Sequence, residues 1–375
     1  MGDEDIMPEE CDKYWNISEE NVSKWLFTQG DGVFITIIIP IICGFGVITN
    51  LGFLCVVFCV PKMRSGIYVY LSQLAVADSL YLSLTSAYFI WSYAASPVFH
   101  HFPFSNSGGC MSFFTVRFTS IVASVALITM ALYDLYLTLC HPLKHRVVHS
   151  WCRTCRITVG CWLVGLLGGV SLALDSSTAQ KNCLQWPHDD MYQELPTVVI
   201  ACTPAHPNVV YYSGLLFTVP WLFVIFAVVY MCIRISRALR ERKAINKRRQ
   251  VLQNQRQMTR MIVSNIAICI MCQIPALIRN VSVFVASLTG VPKPGAAWRG
   301  SLWLSVVFQL LNSAVNPLLY GAINAQCRAA FLRALSCRKR KPEDKDADDS
   351  KVKIESACNT LPVHQINQDT NMTWL

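Results

Sequence analysis

The sequence predicts an all-α membrane protein, a bundle of seven transmembrane helices followed by a short amphipathic eighth helix. Three observations lead there. Of 375 residues, 53% are hydrophobic and only 15% charged, a balance foreign to ordinary soluble domains. Charge-poor runs recur seven times, at about Val33–Pro61, Ile67–Phe99, Met111–Tyr133, Ile157–Leu174, Val209–Ile233, Met261–Ile278 and Ser301–Ile323. At 1.5 Å per residue such runs match a hydrocarbon core of about 30 Å. The strict alternation of a membrane barrel is missing, so the runs read as helices.

Residues 1–32 form an outer segment, 33–323 the seven-span domain, 324–337 the amphipathic helix and 338–375 a charged tail too poor in apolar residues to fold. Orientation follows from the connections, because cationic loops stay cytoplasmic. The first thirty-two residues hold nine acids and two lysines, whereas Arg234–Arg260 holds ten basic residues and one acid. Lys62, Arg64, Lys144, Arg146, Arg153 and Arg156 agree. The amino terminus is expected outside and the carboxyl tail inside, in a multi-pass protein of the plasma membrane. The net charge of +9 is then mostly an inner-surface property and speaks for anionic lipid or a cytosolic partner rather than nucleic acid. Met1–Glu10 is acidic and lacks an apolar core, so the first span is expected to act as the insertion signal.

The outer segment carries two glycosylation sequons, at Asn16 and Asn21. Of seventeen cysteines only Cys11, Cys110, Cys183 and Cys202 are exterior, which allows two bridges in three pairings. Cys110–Cys202 is favoured because it ties the loop before the fifth span to the mouth of the third, leaving Cys11–Cys183. That loop, Asp175–Asn208, is long, and its run Thr197–Ala201 reads as one strand of a hairpin over the bundle. Arg234–Arg260 lacks Gly and Pro and reads as two helical extensions joined by a basic turn. Beyond the last span, Phe331, Leu332 and Leu335 share one side of an amphipathic helix on the inner surface. Cys337, beside four basic residues, suits palmitoylation, and Thr373-Trp374-Leu375 suits a PDZ domain.

Asn50 in the first span, Leu74-Ala75-Val76-Ala77-Asp78 in the second and Asn316-Pro317-Leu318-Leu319-Tyr320 in the seventh form a specific set. With Trp162, Pro220 and Pro275, they make the chain resemble a rhodopsin-like G-protein-coupled receptor over about residues 33–337. The resemblance implies a bridge between Cys110 and Cys202, and a polar core of Asp78, Asn50, Ser124, Asn312, Ser313 and Asn316. In that family such a core can hold a sodium ion that favours the resting state, and a purely structural polar network is the alternative. An ionised group in mid-membrane costs about 2.5–3.5 kcal/mol on the insertion scale, so Asp78 must face a polar interior on either reading. Pro317 frees a carbonyl within its helix, and the resemblance makes Tyr320 a residue that swings inward on activation.

The departures bear on output. The inner end of the third span reads Asp134-Leu135-Tyr136, with leucine where the family has an arginine that meets the G protein or a restraining acid. Gln273, two residues before Pro275, stands where a tryptophan toggle is usual, Cys269 where phenylalanine is, and Val228 where tyrosine is. Asp134, Leu135, Tyr136, Gln273, Pro275, Pro317 and Tyr320 together form the expected activation switch.

Arg117 occupies the third-span position where amine receptors carry an aspartate. A guanidinium there suits a carboxylate or polarised carbonyl of a ligand, or else pairs with an acid of the outer loop such as Asp175 or Glu194. Tyr88, Arg279, Asn280 and Gln309 are candidate neighbours in the same cavity. The seventh span holds no lysine for a retinal Schiff base. The expected function is a cell-surface receptor for an extracellular ligand, favoured to be a peptide, that signals through a heterotrimeric G protein and arrestin. The alternatives are a decoy or scaffolding receptor without G-protein output and, with less support, a transporter or channel, because internal repeats and paired broken helices are missing. No enzyme is expected and no cofactor beyond sodium, since His141, His145, His149 and the cysteines lack metal-ligand spacing on one helical face.

Overall fold

The computed structural model describes residues 11–64, 66–148, 150–206, 209–245, 249–289 and 295–335. Cys337, the tail and its terminal Thr373–Leu375 lie outside the described residues. In order, the elements are β1 (Lys13–Asn16), α1 (Glu19–Trp25), α2 (Gln29–Cys59), α3 (Ile67–Ala95), α4 (Ser107–Cys140), α5 (Pro142–Val148), α6 (Trp151–Ala173), β2 (Thr178–Gln185), β3 (Val198–Thr203), α7 (Val209–Ile245), α8 (Arg249–Thr289), α9 (Gly295–Ile323) and α10 (Ala325–Leu335). Among the described residues seven helices are long and apolar enough to cross a membrane: α2, α3, α4, α6, α7, α8 and α9. The two ends of the bundle are called outer and inner here after the charge asymmetry of the sequence.

Local chemistry starts these helices where they start. Thr28 caps α2 by accepting from the backbone of Asp31, whose carboxylate accepts from the Thr28 backbone in return, a reciprocal box that satisfies two orphan donors. Asn106 caps α4 through Gly109 N–H, and Ser150 caps α6 through Arg153 N–H. Pro220, Pro275 and Pro317 sit inside α7, α8 and α9, where each removes an N–H from the ladder.

The tightest helix pair is α4 with α6. Gly165 and Gly169, spaced as small-xxx-small, lie against Thr115, Thr119 and Ala123; a Cβ on Gly169 would stand 2.7 Å from Thr119 N and 2.8 Å from Thr115 O. In lipid no hydrophobic force draws helices together, so this close backbone approach supplies the packing. Gly46 does the same between α2 and α9, where an added Cβ would meet Leu82 and Ala314.

An outer sheet adds to the all-helical expectation. The loop strand before Cys202 is half of an antiparallel hairpin, β2–β3, as its sequence suggested. The amino-terminal β1 then joins β2 in parallel, Lys13 opposite Asn182. Two disulfides hold this roof, Cys11–Cys183 within it and Cys110–Cys202 to the mouth of α4, with Cα separations of 5.9 and 5.8 Å. At the other end, α10 lays Phe331 against Phe53 of α2 and leaves Leu332 exposed.

Candidate functional site

The outer half of the bundle is organised by Arg117. Its Nε donates to Thr85 Oγ1 of α3 at 3.2 Å, and its guanidinium lies 5.6 Å from both the Tyr81 and Phe118 ring centroids. The expected alternative partners, Asp175 and Glu194, do not pair with it: among the described residues no carboxylate forms an ion pair with Arg117. Arg279 lies near enough for the two charges to interact, so two half-buried cations share this region. Tyr88 stands beside them in an aromatic cluster with Phe89, Phe102, Phe113 and Phe114. Asn280 is half-buried on α8, and among the described residues no hydrogen bond joins it to the others.

From Arg117 a polar path runs inward. Tyr81, over which the guanidinium sits, donates to Gln309 Oε1 of α9 at 2.8 Å. Gln309 in turn lines a void of about 10 Å³ with Asp78, Ser120, Ser124, Gln273, Asn312 and Ser313. That space has room for one water-sized species at most. Ser124 donates to Asp78 Oδ1 at 3.2 Å and Asn316 to Oδ2 at 2.6 Å, so the second, third and seventh spans meet on one buried carboxylate. Asn50 stands apart, donating to Gly46 O and to Ser313 O at 3.0 Å, and so fastens α2 to α9 rather than reaching Asp78. Among the described residues, the side-chain oxygens of Asn312 and Asn316 are buried without a hydrogen-bond partner. An all-oxygen set of this kind, one carboxylate with amide and hydroxyl oxygens, fits a hard monovalent cation better than a soft metal.

At the inner end the three expected switch residues part company. Leu135 is buried, packed in an apolar cluster that includes Val228, Met231, Ile235, Met261 and Ile262. Asp134 turns sideways to Arg153 at the start of α6, 3.7 Å away, and to His145 of α5, 4.0 Å away. Tyr136 meets His141 Nε2 at 3.0 Å on the surface. The inner end is tied across α8 and α9 instead: Asn265 donates to Tyr320 Oη at 3.0 Å, and Asn324, just past α9, contacts Met258 Sδ at 2.8 Å. Asn265, Asn324, Tyr81 and Thr85 were not singled out in the sequence, since one polar residue in an apolar run gives no clue to its partner.

A second polar anchor, also absent from the sequence reading, closes the outer end. Asp31, buried in the first turn of α2, accepts from Thr28 Oγ1, from Arg299 Nη1 at 2.9 Å and from Trp303 Nε1 at 2.6 Å. Arg299 also donates from Nη1 to Leu26 O and from Nη2 to Lys24 O, and lies 4.4 Å over the Phe99 ring. Of the two sequon residues, Asn16 is exposed at the end of β1, and Asn21 bonds to Ser18 and Lys24.

Residues 49–320 match the family described as 7 transmembrane receptor (rhodopsin family). Somatostatin receptor type 4 of Rattus norvegicus is 27% identical over 337 residues, covering 86% of this chain and 79% of the relative. The neuromedin U receptor homolog nmur-2 of Caenorhabditis elegans is 24% identical over 366 residues, covering 87% and 86%, and somatostatin receptor type 2 of Mus musculus is 24% identical over 339 residues, covering 88% and 85%. Seven spans, a carboxylate shared by three of them, a bridged outer loop and a family match over most of the chain converge: this protein belongs to the rhodopsin family of seven-transmembrane receptors.

Proposed function

We propose that the protein is a plasma-membrane receptor, amino terminus outside, that binds an extracellular peptide in its outer cavity and signals through a heterotrimeric G protein. The observation that supports it most is Arg117, a cation in the outer half of the bundle that makes no ion pair among the described residues and adjoins the polar path to Asp78. A carboxylate or carbonyl of the ligand would take up bidentate hydrogen bonds there, strong because desolvated. Arg279, Tyr88 and Asn280 form the rest of the proposed contact, and Gln309 passes its occupancy inward. Similarity to receptors for somatostatin and neuromedin U, both peptides, points the same way. Binding of an identified ligand to wild type and Arg117→Ala tests the contact: a loss of tenfold or more in affinity is expected, and unchanged affinity rejects it.

In this reading Asp78, Ser124, Asn312, Ser313 and Asn316 hold a sodium ion that favours the resting state. Asp78→Asn then abolishes the dependence of agonist affinity on sodium, compared with choline at equal ionic strength. Ligand occupancy would act on the set Asp134, Leu135, Tyr136, Gln273, Pro275, Pro317 and Tyr320, with arrestin as a further partner. Cys337 and Thr373–Leu375 are the proposed palmitoylation and PDZ-binding sites, and Asn16 and Asn21 the glycosylated positions.

The burial of Leu135 favours a second reading, a receptor without G-protein output, because its side chain offers nothing to an incoming G protein and is already packed. A second-messenger assay separates the two. Basal or ligand-driven signalling by wild type rejects the second reading; silence in wild type restored by Leu135→Arg, with arrestin recruitment intact in both, supports it.

A further inference from the structure

A cavity of about 730 Å³ opens sideways between α4, α6 and α7 rather than toward the outer end. Its size falls in the range of roughly 300–1,000 Å³ typical of small-molecule sites. Along α6 it extends from Ile157 to Leu172, about 22 Å at 1.5 Å per residue. Its rim residues Val164, Leu167 and Leu216 are more than half exposed, so the opening faces the hydrocarbon of the bilayer. Gly160 keeps the floor open: a Cβ there meets nothing within 4 Å.

The wall is apolar apart from a few groups, and most of those are satisfied. Thr129 donates to Val125 O and Ser171 to Leu167 O, each within its own helix. Gln273 differs. It reaches the cleft from α8, is only 5% exposed, and its Oε1 accepts no hydrogen bond among the described residues. Its unpartnered oxygen gains most from a ligand that brings its own donor as the amide turns toward the cleft. A charged ligand would be expelled by the lining, and an ordinary lipid headgroup stays at the interface, above this depth.

We propose that this cleft is a bilayer-entered binding site for an uncharged, elongated lipid alcohol whose hydroxyl donates to Gln273 Oε1. The site is separate from the Arg117 cavity, yet the two communicate. Gln273 also lines the small void with Asp78, Ser124, Gln309 and Asn312, so its side chain forms the wall between lipid-side cleft and polar core. Occupancy that fixes the Gln273 amide therefore acts on the same polar core as the outer ligand, giving two sites one coupling element.

The test uses full-length receptor in lipid nanodiscs with a long-chain alcohol carrying a chain diazirine, beside its methyl ether, which keeps the shape and loses the donor. Mapping of photolabelled peptides is expected to place the alcohol on residues 121–130, 157–172 and 216–224 about fivefold more than the ether. Gln273→Leu is expected to bring the alcohol down to the level of the ether, and Gly160→Leu, filling the floor without touching Gln273, to lower both. Equal labelling by the two probes, or label spread evenly over the bilayer-facing surface, would each overturn the proposal. Because Gly160→Leu is independent of Gln273, a folding failure of one variant leaves the other to decide.

Discussion

Arg299 of α9 and Asp31 of α2 are 2.9 Å apart, an ion pair between residues 268 positions distant in the chain. Asp31 is 2% exposed, so removing its cation leaves a buried charge held only by neutral donors. Breaking a buried pair by deleting one partner typically costs about 3–5 kcal/mol. Arg299→Ala should therefore lower the thermal midpoint of purified receptor markedly. The double variant with Asp31→Asn should recover part of that loss, because no charge is then stranded. A single variant that melts with wild type would show that the pair does not fasten the outer end.

The same outer end should weaken in acid. His100 keeps part of its surface exposed, yet it packs edge-on to Trp25 and Phe99, and the desolvation those rings impose, aided by the positive charge of Arg299, holds its imidazole below the usual 6.5; burial lowers the half-buried His101. The unfolded chain thus binds a proton at a pH where the folded chain does not, so stability is full above about pH 6.5 and declines as pH falls through it. Midpoints taken between about pH 7.5 and 5 should drop toward acid, and His100→Phe should flatten the slope. A slope unchanged by that substitution would assign the effect to other groups.

Asn265 and Tyr320 tie α8 to α9 at the inner end where Leu135 can form no ionic restraint. A hydrogen bond of this kind is worth about 1 kcal/mol net, about fivefold in a two-state equilibrium. Asn265→Leu should raise basal receptor activity by about that factor, read as arrestin recruitment or second messenger without ligand. Tyr320→Phe, which removes only the accepting hydroxyl, should act in the same direction. Basal activity equal to wild type in both would remove the bond from the resting restraint.

Gly169 allows α6 to touch the backbone of α4. A leucine there has no room that flexible side chains can yield, and overpacking of this kind costs about 1–3 kcal/mol. Gly169→Leu should reduce folded surface receptor, while Gly160→Leu, in open space on the same helix, should express as wild type. Surface immunostaining of both reads the difference.

The sequence revealed most where chemistry contradicts its surroundings. Asp78, Arg117 and Asn316 stand out because a polar group in an apolar run must find a polar interior, and each did. The outer bridges were legible because only four of the seventeen cysteines fall on the outer side. Asp31 was hidden by the opposite circumstance: it follows an acidic segment and looks like its last member, although α2 already begins at Gln29. Leu135 showed what the switch lacks but not what replaces it, since an apolar residue in an apolar helix carries no address for its partner. The pairing of β1 was equally silent, because strand partners so distant in sequence leave no local signature.

That pairing dictates an order of assembly. Lys13 lies opposite Asn182, so the first strand leaves the ribosome about 169 residues before its partner exists. At a synthesis rate of about 5–20 residues per second, β1 waits about 8–34 seconds while four spans are threaded into the membrane. Cys11 likewise waits for Cys183, 172 residues further along the chain, and Cys110 is made in between. The roof therefore closes only after the first four spans have been made, so its closure marks the completion of the first half of the bundle.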